Sequence, residues 1–197
     1  MLKTAEFVSL GHPDKTADYI SSYILDRMIE QDENVRYAVE TMIKGNTVIL
    51  GGEVCGNVEF KDIAHHVKRA LCEIGYNEKY SRIWGNCAVD INKLEIINLV
   101  GCQSKEINQG VAKGGWGDQG IFAGYACQGE ALLPQELVLA RKLNNTLYAV
   151  AISSDNLGID IKTQVTVDEN KQIQTVIVAV PMKREEDLQP LIYEVLG

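Results

Sequence analysis

Val35-Arg-Tyr-Ala-Val-Glu-Thr-Met42, Lys44-Gly-Asn46 and Thr47-Val-Ile-Leu-Gly-Gly-Glu-Val54 decide the fold class. The outer two segments alternate apolar and polar side chains, as half-buried strands do, and glycine and asparagine between them supply a tight turn. The stretch reads as a β-hairpin. Helical periodicity stands on either side of it. Pro13 and Asp14 suit a helical first turn, and Ile20, Ile24 and Met28, with Leu25 alongside, give residues 13–31 one buried stripe. Ile63, Val67, Ala70, Leu71 and Ile74 predict a second amphipathic helix over 59–74, stopped by Gly75 at its C-terminal cap. Residues 4–9, 87–91 and 94–100 read as strands, so the opening order is strand, helix, strand, strand, helix, strand.

Residues 102–120 are polar, glycine-rich and aperiodic, a loop longer than compact domains usually contain. The order then recurs. Residues 121–126 read as a strand, and Pro134 opens a helix carrying Leu137, Ala140 and Leu147. Residues 161–167 and 173–180 form a hairpin around Asp168-Glu-Asn170, and Asp187 caps a last helix with Leu191, Ile192 and Val195. The expectation is an α+β protein of two related βαββα(β)-type units, 1–101 and 121–197, with helices packed on mostly antiparallel or mixed sheets. The second unit ends one strand short of the first, which suggests an incomplete polypeptide.

With 197 residues, 46% apolar and 23% charged, the chain can bury a substantial core. A net charge of −8 argues against a broad nucleic-acid or anionic-membrane surface. No run approaches the ~18 apolar residues of a membrane span, and Met1-Leu-Lys-Thr-Ala-Glu6 lacks a signal-peptide pattern. Five widely spaced cysteines with no Cys-x-x-Cys pair read as reduced thiols, and hence as a cytoplasmic protein.

Several groups carry chemistry. Gly11-His-Pro-Asp-Lys15 sets an imidazole, a hard oxygen ligand and a cation at a helix start, where backbone N–H groups attract anions. Asp14 is a candidate Mg²⁺ ligand, with His12 and Lys15 placed for phosphate oxygens. The same residues also describe a capped helix start with solvated charges. Glu40 and Glu53 on paired strands suit a metal or an ammonium group, or an exposed polar face. Gly115-Trp-Gly-Asp-Gln-Gly120 matches G-x-G-x-x-G, but neither a buried strand before it nor a long helix after it is present, so a nucleotide-dependent oxidoreductase is disfavoured. Lys162 lies near Asp160 at a strand start. His65 and His66 are consecutive on a helix, diverge by ~100° and cannot chelate one metal together.

Glu6-Phe-Val-Ser9, Gly11-His-Pro-Asp-Lys15 and Ala17-Asp-Tyr-Ile-Ser21 together resemble the opening of the S-adenosylmethionine synthetases. The likeness continues through Val39-Glu-Thr41, Gly51-Gly-Glu53, Glu73-Ile-Gly-Tyr76, Gln103-Ser104 with Ile107-Asn-Gln-Gly-Val111, Gly117-Asp-Gln-Gly120, and Asp160-x-Lys162-x-Gln164-Val-Thr166. The resemblance implies Mg²⁺- and K⁺-dependent joining of ATP and L-methionine, with release of phosphate and diphosphate. It implies that His12 sits by the departing 5′ oxygen, Asp14 binds Mg²⁺, Lys15 and Lys162 contact phosphates, and Asp160 approaches the nucleoside. Glu40 belongs to the K⁺ site, and Glu53, Gln103 and Asp118 address methionine. The 102–120 segment becomes a mobile active-site loop. The site lies between subunits, so a homodimer or higher homo-oligomer is implied, or a partner polypeptide carrying the family's third unit. A silent ATP- or methionine-binding subunit is the alternative. Departures from the family pattern include Leu10 before the Gly-His-Pro-Asp-Lys motif, Lys105-Glu106 in the loop, an insertion near 91–98 and Gly158-Ile159 before Asp160.

Overall fold

The computed structural model of the protein describes residues 1–59, 62–85, 88–102 and 120–197. The elements are β1 (Lys3–Val8), α1 (Pro13–Ile29), β2 (Arg36–Lys44), β3 (Thr47–Cys55), α2 (Ile63–Ile74), α3 (Glu78–Trp84), β4 (Glu95–Cys102), α4 (Gln135–Ser153), β5 (Lys162–Val167), β6 (Ile173–Ala179) and α5 (Gln189–Leu196). The fold is α+β, with two three-stranded sheets ordered β1-β5-β6 and β2-β3-β4.

One compact unit joins residues 1–15 to 124–197, and the other spans 16–123, so the division falls inside α1. β1 belongs to the first of these compact units. It pairs antiparallel with β5, Lys3 opposite Val167 and Val8 opposite Lys162. The reason is alternation on both strands: Ala5 and Phe7 face the same side as Val165 and Thr163, and that side is the one α4 covers. Ala140, Val165 and Val167 form this core, with Phe7, Leu139, Ile173 and Val176 packed against it. The β5–β6 turn is held by Asp168, whose Oδ1 accepts the N–H groups of Asn170 at 2.8 Å and Gln172 at 3.0 Å.

In the other unit β2 and β3 form the expected hairpin, turning at Gly45 with φ 57°. β4 joins β3 in parallel, Val48 beside Ile96. A parallel neighbour needs a crossover, and α2 and α3 lie in that connection. Gly75 ends α2 in a left-handed conformation, φ 116°, which a side chain would strain. Gly52 faces a tighter demand, because φ is 127° and a Cβ there would overlap the Ala38 carbonyl.

Two strand expectations fail. Residues 88–91 form no strand: the Asn46 side chain accepts the Asp90 N–H at 2.7 Å, Asp90 Oδ1 accepts the Asn92 N–H at 3.0 Å, and the backbone turns there. Cys87, at the start of that segment, lies outside the described residues. Residues 121–126 are β-prone but form no strand, because no described neighbour offers them a ladder, and Ile121, Phe122 and Tyr125 stand exposed. The short α3, missed in the sequence, is capped by Asn77, sets Tyr76 edge-on to Tyr80 and stacks Tyr80 on Trp84, at four-residue spacing.

Candidate active site

The turn between β1 and α1 is clamped to the entry of β5 by one buried hydroxyl. Ser9 Oγ donates to the Ile159 carbonyl at 2.6 Å and accepts the Ile161 N–H at 2.9 Å. The Ser9 N–H continues the ladder to the Ile161 carbonyl at 2.9 Å, and the His12 N–H closes the turn on the Ser9 carbonyl at 3.0 Å. Gly11 completes the clamp. A Cβ at that position would overlap the Ile159 carbonyl, so the absence of a side chain lets the two backbones touch. From the helix side, buried Asn144 donates to the carbonyls of Phe7 at 3.1 Å and Ile161 at 3.2 Å, and Thr163 Oγ1 donates to the Ala140 carbonyl at 2.8 Å.

This clamp brings His12 and Asp14 beside Asp160, although the two motifs are far apart in sequence. Asp14 N–H donates to His12 Nδ1 at 3.3 Å, while Asp14 Oδ2 lies 3.9 Å from the same nitrogen, too far for a hydrogen bond. A neutral imidazole whose Nδ1 accepts carries its proton on Nε2, so the ring presents a donor on its far edge. Burial pushes the Asp160 carboxyl above the usual carboxylate range; His12 draws it down and the negative charge of Asp14 pushes it further up. A raised folded-state value contributes stability that is complete below the unfolded value of 3.8 and is lost as pH rises through the folded value. Asp160→Asn is therefore expected to melt at a higher temperature than the parent at pH 7, with the difference closing at or below pH 3.8 in a pH series of thermal unfolding.

The two lysines take separate partners. Lys162 Nζ is 2.9 Å from Glu6 Oε2, a diagonal pair across β1 and β5 on the sheet face away from α4. Both side chains are half exposed, so the pair is worth about 0–1 kcal/mol and a phosphate oxygen can displace the carboxylate cheaply. Lys15 Nζ lies 5.7 Å from the centroid of Phe7, whose ring belongs to the α4 side. A cavity of about 500 Å³ opens by the start of α4, lined in part by Lys3, Gln135 and Lys171, but His12, Asp14, Lys15, Asp160 and Lys162 are not in its wall.

Glu40 and Glu53 lie on the other unit. Glu40 is opposite Gly51 and Glu53 opposite Ala38, so the two carboxylates are diagonal neighbours on one face of the sheet. Glu40 is exposed on that face. On its opposite face Tyr37 donates to the Ser21 carbonyl at 2.9 Å, and burial pushes the phenol up to about 12. Gln103, Asp118 and the Gly115-to-Gly120 motif, apart from Gly120 itself, lie outside the described residues, as does nearly all of the expected active-site loop. Among the described residues no group of three or more His, Cys, Asp or Glu side chains is set to hold a metal ion, and no helix is long and apolar enough to cross a membrane.

Sequence reasoning missed Ser9, Gly11, Asn144 and Thr163 as builders of this site. Asn144 had a legible signal, a polar residue on the apolar stripe Ala140, Leu143, Leu147 and Ala151. Ser9 and Gly11 had none, since their partners are in another motif.

The S-adenosylmethionine synthetase N-terminal domain matches residues 1–105, and the central domain of the same enzymes matches 113–196. An S-adenosylmethionine synthase of Nocardioides sp. is 36% identical, over 95% of this chain and 51% of its own length. One from Salinibacter ruber is 35% identical, over 97% and 53%. An unusual S-adenosylmethionine synthetase from Campylobacter jejuni superposes with a TM-score of 0.81 at 34% identity, covering 100% of this chain and 53% of that one. The chain belongs to the S-adenosylmethionine synthetase family. It spans about half the length of the curated relatives it matches.

Proposed function

We propose that this chain forms S-adenosylmethionine from ATP and L-methionine, releasing phosphate and diphosphate, in an assembly that supplies the family's third unit. The observation that carries the reading is the clamp of Ser9 and Gly11 on residues 159–161, which sets His12 and Asp14 beside Asp160.

The thioether of methionine is already a nucleophile, so the barrier lies in the leaving group. As C5′ transfers to sulfur, negative charge develops on the departing 5′ oxygen of the tripolyphosphate. The Nε2–H of His12 donates to that oxygen. Lys162 exchanges Glu6 for a phosphate, and Lys15 neutralises charge at the start of α1, where the helix dipole already favours anions. Asp160 binds on the nucleoside side, and Glu53, Gln103 and Asp118 receive methionine. Two carboxylates near each other, one half-buried with its ionisation opposed, suit a hard divalent cation, so Asp14 would hold Mg²⁺ with Asp160 beside it. That ion supplies charge neutralisation for the departing polyphosphate. Glu40, exposed on its sheet face, offers oxygen donors for K⁺.

The face of β2-β3-β4 that carries Glu40 also exposes Met42, Ile97 and Leu99, the last at 67%. An exposed apolar sheet face of this kind fits a homodimer or higher homo-oligomer. Leu99→Glu is expected to shift the assembly towards monomer in sedimentation velocity, with little change in unfolding temperature of the monomeric form.

The test of the reading is direct. The full chain, alone or with a polypeptide carrying the family's third unit, is incubated with ATP, L-methionine, Mg²⁺ and K⁺, and S-adenosylmethionine and phosphate are measured. Formation of both is the expected result. Absence of product when the third unit is supplied, with a non-hydrolysable ATP analogue still bound, overturns it.

A further inference from the structure

We propose that Arg141 of α4 is a second cationic contact, beside Lys15, for the phosphate chain of the bound nucleotide. Arg141 Cζ lies 5.9 Å from the centroid of Phe7, and Lys15 Nζ lies 5.7 Å from the same centroid. Both distances are within the range in which a ring face attracts a cation. One aromatic ring thus gathers two like charges from elements far apart in the chain.

The gathering is built rather than incidental. Phe7 is packed against Ala140, Val165 and Val167, which holds the ring in place. The turn of α4 that bears Arg141 is fastened on both sides: Thr163 Oγ1 donates to the carbonyl of Ala140 at 2.8 Å, and Asn144 Nδ2 donates to the carbonyl of Phe7 itself at 3.1 Å. Arg141 therefore projects from a rigid turn, and preorganisation of this kind limits the entropy lost on binding.

The charge balance points to an anion. The chain carries a net charge of −8, yet among the described residues neither Lys15 nor Arg141 is in an ion pair. A ring quadrupole orients cations without neutralising them, so both keep a full charge to offer an anion. A planar guanidinium can grip two oxygens of one phosphate in a fixed bidentate fork, and the lysine supplies a point charge beside it. Lys15 follows Asp14 in the first turn of α1, where the helix N-terminus also favours anions. The identity of that anion as a nucleotide polyphosphate rests on the synthetase reading; the cation pair does not.

The probe is inorganic tripolyphosphate, titrated into the full chain by calorimetry at low ionic strength, with S-adenosylmethionine formation assayed in parallel. Arg141→Ala is expected to weaken tripolyphosphate binding about tenfold, the scale of one charge-assisted contact, and Arg141→Lys to fall between. Because Arg141 is exposed, the unfolding temperature of Arg141→Ala should stay within a few degrees of the parent. Tripolyphosphate affinity unchanged in Arg141→Ala, or no binding by the parent chain, overturns the inference. Product formed normally with Arg141-insensitive binding removes this contact and leaves the synthetase reading intact. Arg141-dependent binding without any product does the reverse.

Discussion

His12→Ala is expected to lower S-adenosylmethionine formation by about 10²–10³-fold in kcat while changing KM for ATP little, which corresponds to about 2.7–4 kcal/mol of lost transition-state stabilisation. The direction of the effect follows from the proton position. Nδ1 of His12 accepts the Asp14 N–H at 3.3 Å, so the neutral ring has its donor on Nε2. A donor aimed where charge develops helps the transition state more than the ground state, and its loss falls on kcat. His12→Gln should recover part of the rate, because its amide Nε2 can donate from a similar position, whereas His12→Ala should not. A rise in KM alone, with kcat unaltered, would assign His12 to substrate binding and remove it from the chemical step. The measurement is initial-rate kinetics of product formation with ATP varied at saturating methionine.

Gly11→Ala should be the most damaging small substitution in the same unit. The added methyl would overlap the backbone carbonyl of Ile159, and neither backbone can yield without breaking the two hydrogen bonds of Ser9 Oγ. Overpacking against backbone costs about 1–3 kcal/mol, and loss of the clamp adds to it, so a fall of roughly 5–10 °C in unfolding temperature is expected by calorimetry. Ser9→Ala reaches the same clamp from its other side, leaving the Ile159 carbonyl and the Ile161 N–H without their buried partner, at about 1–3 kcal/mol. Combining the two changes should cost less than their sum, since each dismantles the same contact. Full additivity would mean that Gly11 and Ser9 act separately. Both variants should also depress product formation, because the clamp is what carries His12 to Asp160.

The parts of the fold that were legible are those whose cause is local. The hairpin of β2 and β3, the stripe of α1, the Gly75 cap of α2 and the Asp168 turn each depend on neighbours within a few residues, and each stands where the pattern expected it. Pairing of β1 with β5 depends on residues at the far end of the chain, and alternation alone could not choose between that edge and the nearby hairpin. Residues 121–126 make the complementary point, since strand propensity without a ladder yields exposed chain. α3 escaped notice because seven residues are too few to establish a period, even with Tyr76, Tyr80 and Trp84 at helical spacing. The motif residues His12, Asp14, Asp160 and Lys162 were legible as types and spacings. Their meeting was not, because Ser9 and Gly11, which arrange it, look like ordinary turn residues until Ile159 and Ile161 are set against them.

Strand β1 also has a consequence during synthesis. Thr4 and Thr166 share a hydrogen bond across 162 positions, so the amino-terminal strand leaves the ribosome long before its partner has been translated. During that interval its edge has nothing to dock on, and residues 16–123 are free to condense first around their own hairpin. Closure of the β1-β5-β6 sheet is then a late event in which two segments far apart in the nascent chain must find each other, and β1 is the segment a holding chaperone would encounter.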